Sequence, residues 1–416
     1  MRIFKFGGAS VKNAEGVRNV VKVLQTVGHE NTLMVVSAMG KMTNAMEAVV
    51  NAYFKDEALL DEKIQFIADY HKGIINDLFE AKNHGIHHKL NKLIEEFRGF
   101  LLWNKSPKYG FVYDQVVGYG ELISTAIVSA YLREIGIENE WLDVRELIKT
   151  DNAYREAKVD WEVTGSRIRS RIDTKKLNVT QGFLGSDENN FTTTLGREGS
   201  DYTAAILGYC LDADSVTIWK DVPGVLNADP RHFQETRKLE QISYREAIEL
   251  AFYGASVIHP KTLQPLQRKG IPLFVKSFVD PRTSGTKVGK GVKISPDVPC
   301  FIVKKEQVLL KLSSLDFSFI VEDNISAIFR LFHEHRLKVD LIQNSAISFS
   351  VCLDNKFDGL KTLLPVLEER FKVVCHEGVS LYTIRHFDEN AVESILNGYD
   401  VLVEQRGKET VQLVVK

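Results

Sequence analysis

Apolar and polar positions change period within a few residues all along the first part of the chain. Ile3 to Phe6 reads as a strand, Gly7-Gly8 breaks it, Val11 to Leu24 carries a helical stripe, and Thr32 to Val36 is an apolar run. That order predicts a βαβ opening. From Asn44 to about Asn104 the pattern is helical, with Leu60, Ile64, Ile67, Ile74, Ile75 and Leu78 spaced to share one face. Strand and helix signals then alternate to about residue 280, including Ile123 to Leu132, Val179 to Phe183, Ser215 to Trp219 and Leu273 to Phe278. They predict an α/β fold with a mainly parallel, helix-covered sheet.

Gly, Lys and Pro crowd the stretch Gly285 to Pro299, where apolar periodicity lapses. A first domain is therefore expected over 1–288, with a helical insertion at about 44–105, followed by a linker over 289–300. Past it the texture changes. Val308 to Leu312 reads as a strand, Ile325, Ile328, Phe329 and Phe332 stripe a helix, Val339 to Ile342 and Ile347 to Leu353 read as strands, and Leu360 to Phe371 as a helix. A second copy runs from a strand at Ser380 to Phe387 through a helix at Glu389 to Leu396 to strands at Val401 to Glu404 and Val411 to Val415, with no closing helix. Residues 301–416 thus predict two small α+β modules, the second truncated or interleaved with the first.

Composition narrows the classes. The 416 residues suffice for two or three domains of ordinary size, and 44% apolar with 26% charged residues is ordinary globular usage. With 53 Lys+Arg against 55 Asp+Glu the net charge is -2, so no basic field draws a polynucleotide. No apolar window reaches the roughly 18 residues of a membrane span, and the opening octet is too polar for a signal peptide, which leads us to expect a cytoplasmic protein. Cys210, Cys300, Cys352 and Cys375 lie apart without CxxC pairing and are expected as buried thiols.

Neither GxxxxGK[ST] nor a full GxGxxG occurs, since Ile123 stands where the third glycine after Gly118 and Gly120 would fall. Three polar blocks carry the chemistry instead. Lys5-Phe6-Gly7-Gly8-Ala9-Ser10 joins a strand to a helix, where glycines let backbone N–H groups reach an anion and Lys5 adds charge; an ordinary strand-to-helix turn is the alternative. Thr192 to Asp201 packs hydroxyls, two glycines, Arg197, Glu198 and Asp201 into one turn before a helix. Capping would need a single such side chain, whereas an amino acid needs a cation for its carboxylate and an anion for its ammonium. Trp219 to Arg231 follows a strand with Pro-Gly and Asp-Pro turns, at the kind of strand end where open α/β sheets bind ligands; surface turns are the alternative. Ser37 to Thr43 and Glu121 are smaller signals. The histidines in Asn83 to His88 read as a solvated loop rather than a metal site, Phe317 and Phe319 as core, and Glu95-Glu96 as a wet helix face.

Together these blocks resemble the aspartokinases, amino-acid-kinase-fold enzymes that phosphorylate aspartate. The resemblance rests on Lys5-Phe-Gly-Gly, Val36-Ser-Ala, Gly120-Glu-Leu, Thr180-Gln-Gly-Phe, Thr192-Thr-Thr-Leu-Gly-Arg, Gly199-Ser-Asp-Tyr-Thr, Asp221-Val-Pro-Gly, Asp229-Pro-Arg and Ile258-His-Pro-Lys, spread over nearly the whole chain. It implies an αβα sandwich of the carbamate-kinase kind with C-terminal ferredoxin-like ACT modules, through which the chain would form a homodimer and sense an amino-acid effector. It implies Lys5 against the transferring phosphate, with Arg197 and Asp201 as the other catalytic candidates. Ser37, Thr43, Glu121, Arg197, Gly199, Ser200 and Asp201 would frame L-aspartate. Lys5, Gly7, Gly8, Ser10, Lys220, Asp221, Gly224, Leu226, Asp229, Arg231 and Ser256 would surround ATP, which brings its own Mg²⁺; no metal-ligand set, nucleic acid or membrane is implied.

The chain departs from that pattern at several points. Lys220 stands where Thr is usual, Leu226 where Tyr is, Ser256 where Lys is common and Glu198 where Gly is usual. One lysine is lost and another gained, so Lys220 is expected to supply the charge missing at 256. Asp340 and Ser345 match effector positions, but Ala346 replaces an acidic residue, leaving lysine, threonine, another ligand or none open. A non-catalytic sensor of the same fold and a kinase for another amino acid are the rival functions. No dehydrogenase segment is present in the sequence, so a single activity is expected.

Overall fold

The computed structural model describes residues 1–255 and 258–416. By contact the described residues divide into two compact units: 1–225, 238–248 and 258–294 form one, and 226–237, 249–255 and 295–416 the other.

The first unit is built on an eight-stranded sheet. Its strands are β1 (Arg2–Phe6), β2 (Thr32–Val36), β3 (Glu140–Leu142), β4 (Asn178–Gln181), β7 (Ser215–Lys220), β8 (Gln241–Ser243), β9 (Leu273–Ser277) and β10 (Thr286–Gly289), while β5 (Leu184–Ser186) and β6 (Thr192–Thr194) make a separate hairpin. The order is β3-β4-β2-β1-β7-β9-β10-β8, and only the β9–β10 pair is antiparallel. β2 is buried at every position, as a parallel strand covered on both faces must be. β10 takes up residues that composition assigns partly to a linker, because its Thr286 and Val288 are buried against the sheet.

Around the sheet lie α1 (Ala14–Val27), α2 (Met42–Lys55), α3 (Leu60–Leu78), α4 (Gly85–Trp103), α5 (Tyr109–Val117), α6 (Tyr119–Glu134), α7 (Val144–Leu147), α8 (Trp161–Arg171), α9 (Gly199–Cys210), α10 (Tyr244–Tyr253) and α11 (Pro260–Lys269). α1 starts where Asn13 accepts a hydrogen bond from the Gly16 N–H at 2.9 Å, and its Val17, Val20, Val21 and Leu24 form the buried stripe. The predicted helical insertion is α2 to α4. It is tied to the opening turn through Tyr70, whose hydroxyl donates to the Lys12 carbonyl. The expected histidine loop is instead the start of α4: His84 accepts from the Ile86 N–H at 3.1 Å and stacks on Phe79 at 4.3 Å. A capping imidazole gives that turn its structure, which a residue-type reading misses.

The second unit holds a six-stranded antiparallel sheet of order β12-β13-β11-β14-β16-β15, made of β11 (Cys300–Ser314), β12 (Lys338–Asn344), β13 (Ser348–Asp354), β14 (Phe371–Arg385), β15 (Val401–Arg406) and β16 (Thr410–Val415). Its helices are α12 (Glu322–Glu334), α13 (Leu360–Glu368) and α14 (Glu389–Leu396). β11 and β14 are each 15 residues long and pair along nearly their whole length. They are therefore shared. One end of both strands belongs to the core under α12 and α13, the other to the core under α14, so the two modules interleave. A register shift around Gln307 changes which residues face which side. Leu309, Leu341, Cys352, Val379, Leu381, Val403 and Val414 form a third cluster from both modules. Phe317 and Phe319 are not core: they stand 81% and 71% exposed on the segment leading to α12. Of the cysteines, Cys375 alone is not fully buried. No described helix is long and apolar enough to cross a membrane.

Candidate active site

The parallel strands β1, β2, β4 and β7 end at one edge of the sheet, and the residues that follow them line a cavity of about 870 Å³. Lys5 is on β1, next to the last residue of that strand, between Val35 of β2 and Ile218 of β7. The strand places its stem in the sheet and its ammonium at the cavity wall, 9% exposed. There Lys5 Nζ meets Asp201 Oδ1 at 2.7 Å. Asp201 sits in the first turn of α9, beside Ser200 and Gly199.

Two backbone approaches shape the walls. A Cβ on Gly8 would lie 2.7 Å from both the Ala38 and Gly40 carbonyl oxygens, so the turns after β1 and β2 can touch only through glycine. The Gly40 N–H donates to the Gly8 carbonyl at 2.9 Å and the Ser37 N–H to the Phe6 carbonyl at 3.1 Å, locking them together. A Cβ on Gly182 would strike the Ser200 Cβ at 2.4 Å, which lets the start of α9 press onto the end of β4.

Glu121, in the first turn of α6, is buried at the cavity wall with Oε2 unpartnered. Burial pushes its carboxyl up to about 8, opposed by the Ala38 backbone and by the Lys5 charge, so it holds a proton at neutral pH. Arg197 is exposed at the rim and has no ion-pair partner among the described residues. Glu198 follows it with left-handed backbone angles, φ 54° and ψ 27°, which cost a residue with a Cβ roughly 1–2 kcal/mol. Its Oε2 is buried without a hydrogen-bond partner.

The cavity thus brings together Lys5, Ser37, Thr43, Glu121, Arg197, Gly199, Ser200, Asp201 and Lys220 from separate sequence blocks. Gly7, Gly8 and Ser10 form the adjoining turn, with Ser10 N–H donating to the Gly7 carbonyl at 3.0 Å. Asp221 is exposed just past β7, and Gly224 is buried where the Val225 N–H donates to Thr286 Oγ1 at 2.8 Å. Leu226, Asp229 and Arg231 belong to the second unit. There Arg231 chelates the Asp229 carboxylate, holding it down at about 2. Ser256 lies outside the described residues.

The cavity also has lining that motif reading passes over: Tyr113 on α5, Phe183, and the segment Tyr154-Arg155-Glu156. Nothing local in that segment signals a site. Arg155 stacks over Tyr113 at 4.6 Å and Tyr109 at 5.6 Å and lies 3.8 Å from Glu47. Only the pairing of distant elements could have revealed it.

Residues 1–277 match the model of the amino acid kinase family. Over 397 residues the chain is 32% identical to lysine-sensitive aspartokinase 3 of Escherichia coli, covering 92% of this chain and 86% of that one. It is 29% identical to the chloroplastic bifunctional aspartokinase/homoserine dehydrogenase 2 of Arabidopsis thaliana, covering 90% of this chain and 42% of the relative, so it spans under half that protein's length. The crystal structure of E. coli aspartokinase III with lysine and aspartate superposes with a TM-score of 0.85 at 29% identity, covering 100% of this chain and 96% of that one. The structure of the same enzyme with aspartate and ADP gives 0.81 over the same shares. On these likenesses the chain belongs to the amino acid kinase family and, within it, to the aspartokinases.

Proposed function

We propose that the protein transfers the γ-phosphoryl group of ATP to the side-chain carboxylate of L-aspartate, forming 4-phospho-L-aspartate and ADP, an early step in making amino acids derived from aspartate. The observation that carries this reading is the Lys5–Asp201 pair, set in a cavity that also holds a free guanidinium and a buried carboxyl. E. coli aspartokinase III, with aspartate and ADP bound, supports it.

The chemistry needs little from the protein beyond placement. A side-chain carboxylate of pKa ~3.9 is ionised at neutral pH, so no general base has to act. Its oxygen bonds to the γ-phosphorus while the bond to the β,γ-bridging oxygen breaks and ADP leaves. Two anions must meet, and Lys5 is the cation built into the strand end nearest them. Asp201 keeps that ammonium oriented. Arg197 would take the α-carboxylate, and Glu121, on giving up its proton, the α-ammonium. Lys220 would add charge on the nucleotide side. Mg²⁺ would come in with the phosphates of ATP, and Glu198, whose buried Oε2 has no hydrogen-bond partner, could add one oxygen. The ion would neutralise phosphate charge.

The interleaved modules of the second unit are the regulatory and dimer-forming part in this reading. Asp340, expected as an effector anchor, is bound by the Lys304 ammonium at 2.8 Å and lies 3.4 Å from that of Lys338. Ser345 pairs with Ser348 at 2.6 Å. An effector that needs Asp340 must therefore displace the chain's own lysines.

Purified protein with MgATP, aspartate and hydroxylamine should yield aspartyl hydroxamate. Aspartate binding without hydroxamate would indicate a sensor, and product only from glutamate would indicate another kinase.

A further inference from the structure

A fully buried carboxylate one layer behind the cavity has no part in the chemistry above. Asp114, on α5, accepts the Arg155 N–H at 3.1 Å and 3.0 Å, the Thr194 N–H at 2.8 Å and the Thr194 hydroxyl at 2.8 Å. The first donor belongs to the rim segment Tyr154-Arg155-Glu156. The other two belong to the end of β6, which runs through Leu195 and Gly196 into Arg197. The same two segments also touch directly, the Ala157 N–H donating to the Thr194 carbonyl at 3.0 Å. Arg155 needs such an anchor, since it holds φ 75°, a conformation that costs a side-chain-bearing residue roughly 1–2 kcal/mol.

Resting on the aspartate-kinase reading, we propose that Asp114 is a positioning residue for the amino-acid end of the cavity: its ionised carboxylate ties the Arg155 rim to the strand leading into Arg197, so that protonation loosens both and weakens aspartate binding while leaving nucleotide binding alone. Every donor it meets is an N–H or O–H, which an ionised carboxylate satisfies fully and a carboxylic acid, with its own hydrogen to place, does not. The titratable groups facing it are Arg155 and Tyr154 on the rim and Tyr113 on its own helix; β6 contributes only the neutral Thr194. Tyr113 stays neutral, burial pushing it up to about 12. Burial likewise lifts the Asp114 carboxyl to about 6, against the hydrogen bonds from Arg155 and Thr194. The tie is thus broken in mildly acidic solution, far above the usual carboxylate range.

Steady-state ADP release, measured from about pH 5 to about pH 8.5, tests this. Glu121 alone gives the aspartate KM a single-proton slope, up to about tenfold per pH unit, so the signature of Asp114 is a break to a steeper rise below about pH 6 with the ATP KM flat. Thr194→Val removes a donor that favours the ionised form and should move the break to higher pH, while Thr194→Ser keeps it; Asp114→Asn should raise the aspartate KM roughly tenfold at neutral pH and abolish the break. Backbone hydrogen exchange, corrected for its intrinsic pH dependence, should accelerate at 154–156 and 192–197 across the same interval. No break in the natural protein, or an unmoved break in Thr194→Val, would overturn the proposal. Absence of ADP release with aspartate at every pH, alongside the exchange step, would instead refute the functional reading and leave the tie standing.

Discussion

The Lys5 ammonium lies 2.7 Å from the Asp201 carboxylate, joining the second-last position of the central strand to the first turn of α9. Both side chains are nearly closed to water, so the pair fixes a positive charge at the strand end that no surface lysine could hold as firmly.

Lys5→Ala should lower kcat by roughly 10²–10³ and move either KM far less, as expected of a charge that acts chiefly on the transition state. It also strands Asp201, at a cost of about 3–5 kcal/mol, so melting must be followed alongside. The double variant Lys5→Ala/Asp201→Asn should regain stability without regaining turnover. Recovery of turnover there would remove Lys5 from the reaction.

Glu121 sets a second expectation through its buried carboxyl, raised to about 8. An ammonium ligand must expel that proton, so the aspartate KM should fall with the slope of one proton as pH rises towards about 8 and level off above it. In stability the sign is opposite. The unfolded chain releases the proton near pH 4.5 and the folded one near 8, so Glu121 lowers stability progressively across that window, and Glu121→Gln should flatten both the kinetic and the melting profiles. An unchanged aspartate KM profile in that variant would separate Glu121 from the ammonium.

Lys220 closes β7 and lines the cavity with Lys5. Lys220→Thr should raise the ATP KM severalfold and leave the aspartate KM in place, as expected of a charge that serves the phosphates. Equal ATP KM values in the two proteins would show that the lysine is not needed there.

Asp340 is already neutralised by Lys304 and Lys338, so free lysine titrated into the protein should give no saturable heat up to roughly millimolar concentration, a binding energy of about 4 kcal/mol. Lys304→Ala should open the site. Tight lysine binding by the natural protein would show that the internal ion pairs give way.

Gly182→Ala would drive a methyl group into Ser200 and should cost about 1–3 kcal/mol, seen as a lower Tm. Turnover should fall with it, because Ser200 and Asp201 share the displaced turn.

Much of this protein is legible in local pattern. Alternating periods announce the α/β unit, the Gly7-Gly8 break marks the turn beside Lys5, and clustered polar residues mark the loop carrying Arg197 and Asp201. Those features depend on neighbours in the chain, which is why a single sequence exposes them. Packing alone joins partners far apart in the chain: the Lys5–Asp201 pair, the raised Glu121 carboxyl, the rim built by Arg155 and its tie to Asp114, and the sharing of β11 and β14 by two modules. Hydrogen bonds, desolvation and strand pairing are set by distance in space, and residue order constrains that distance only once the chain has packed.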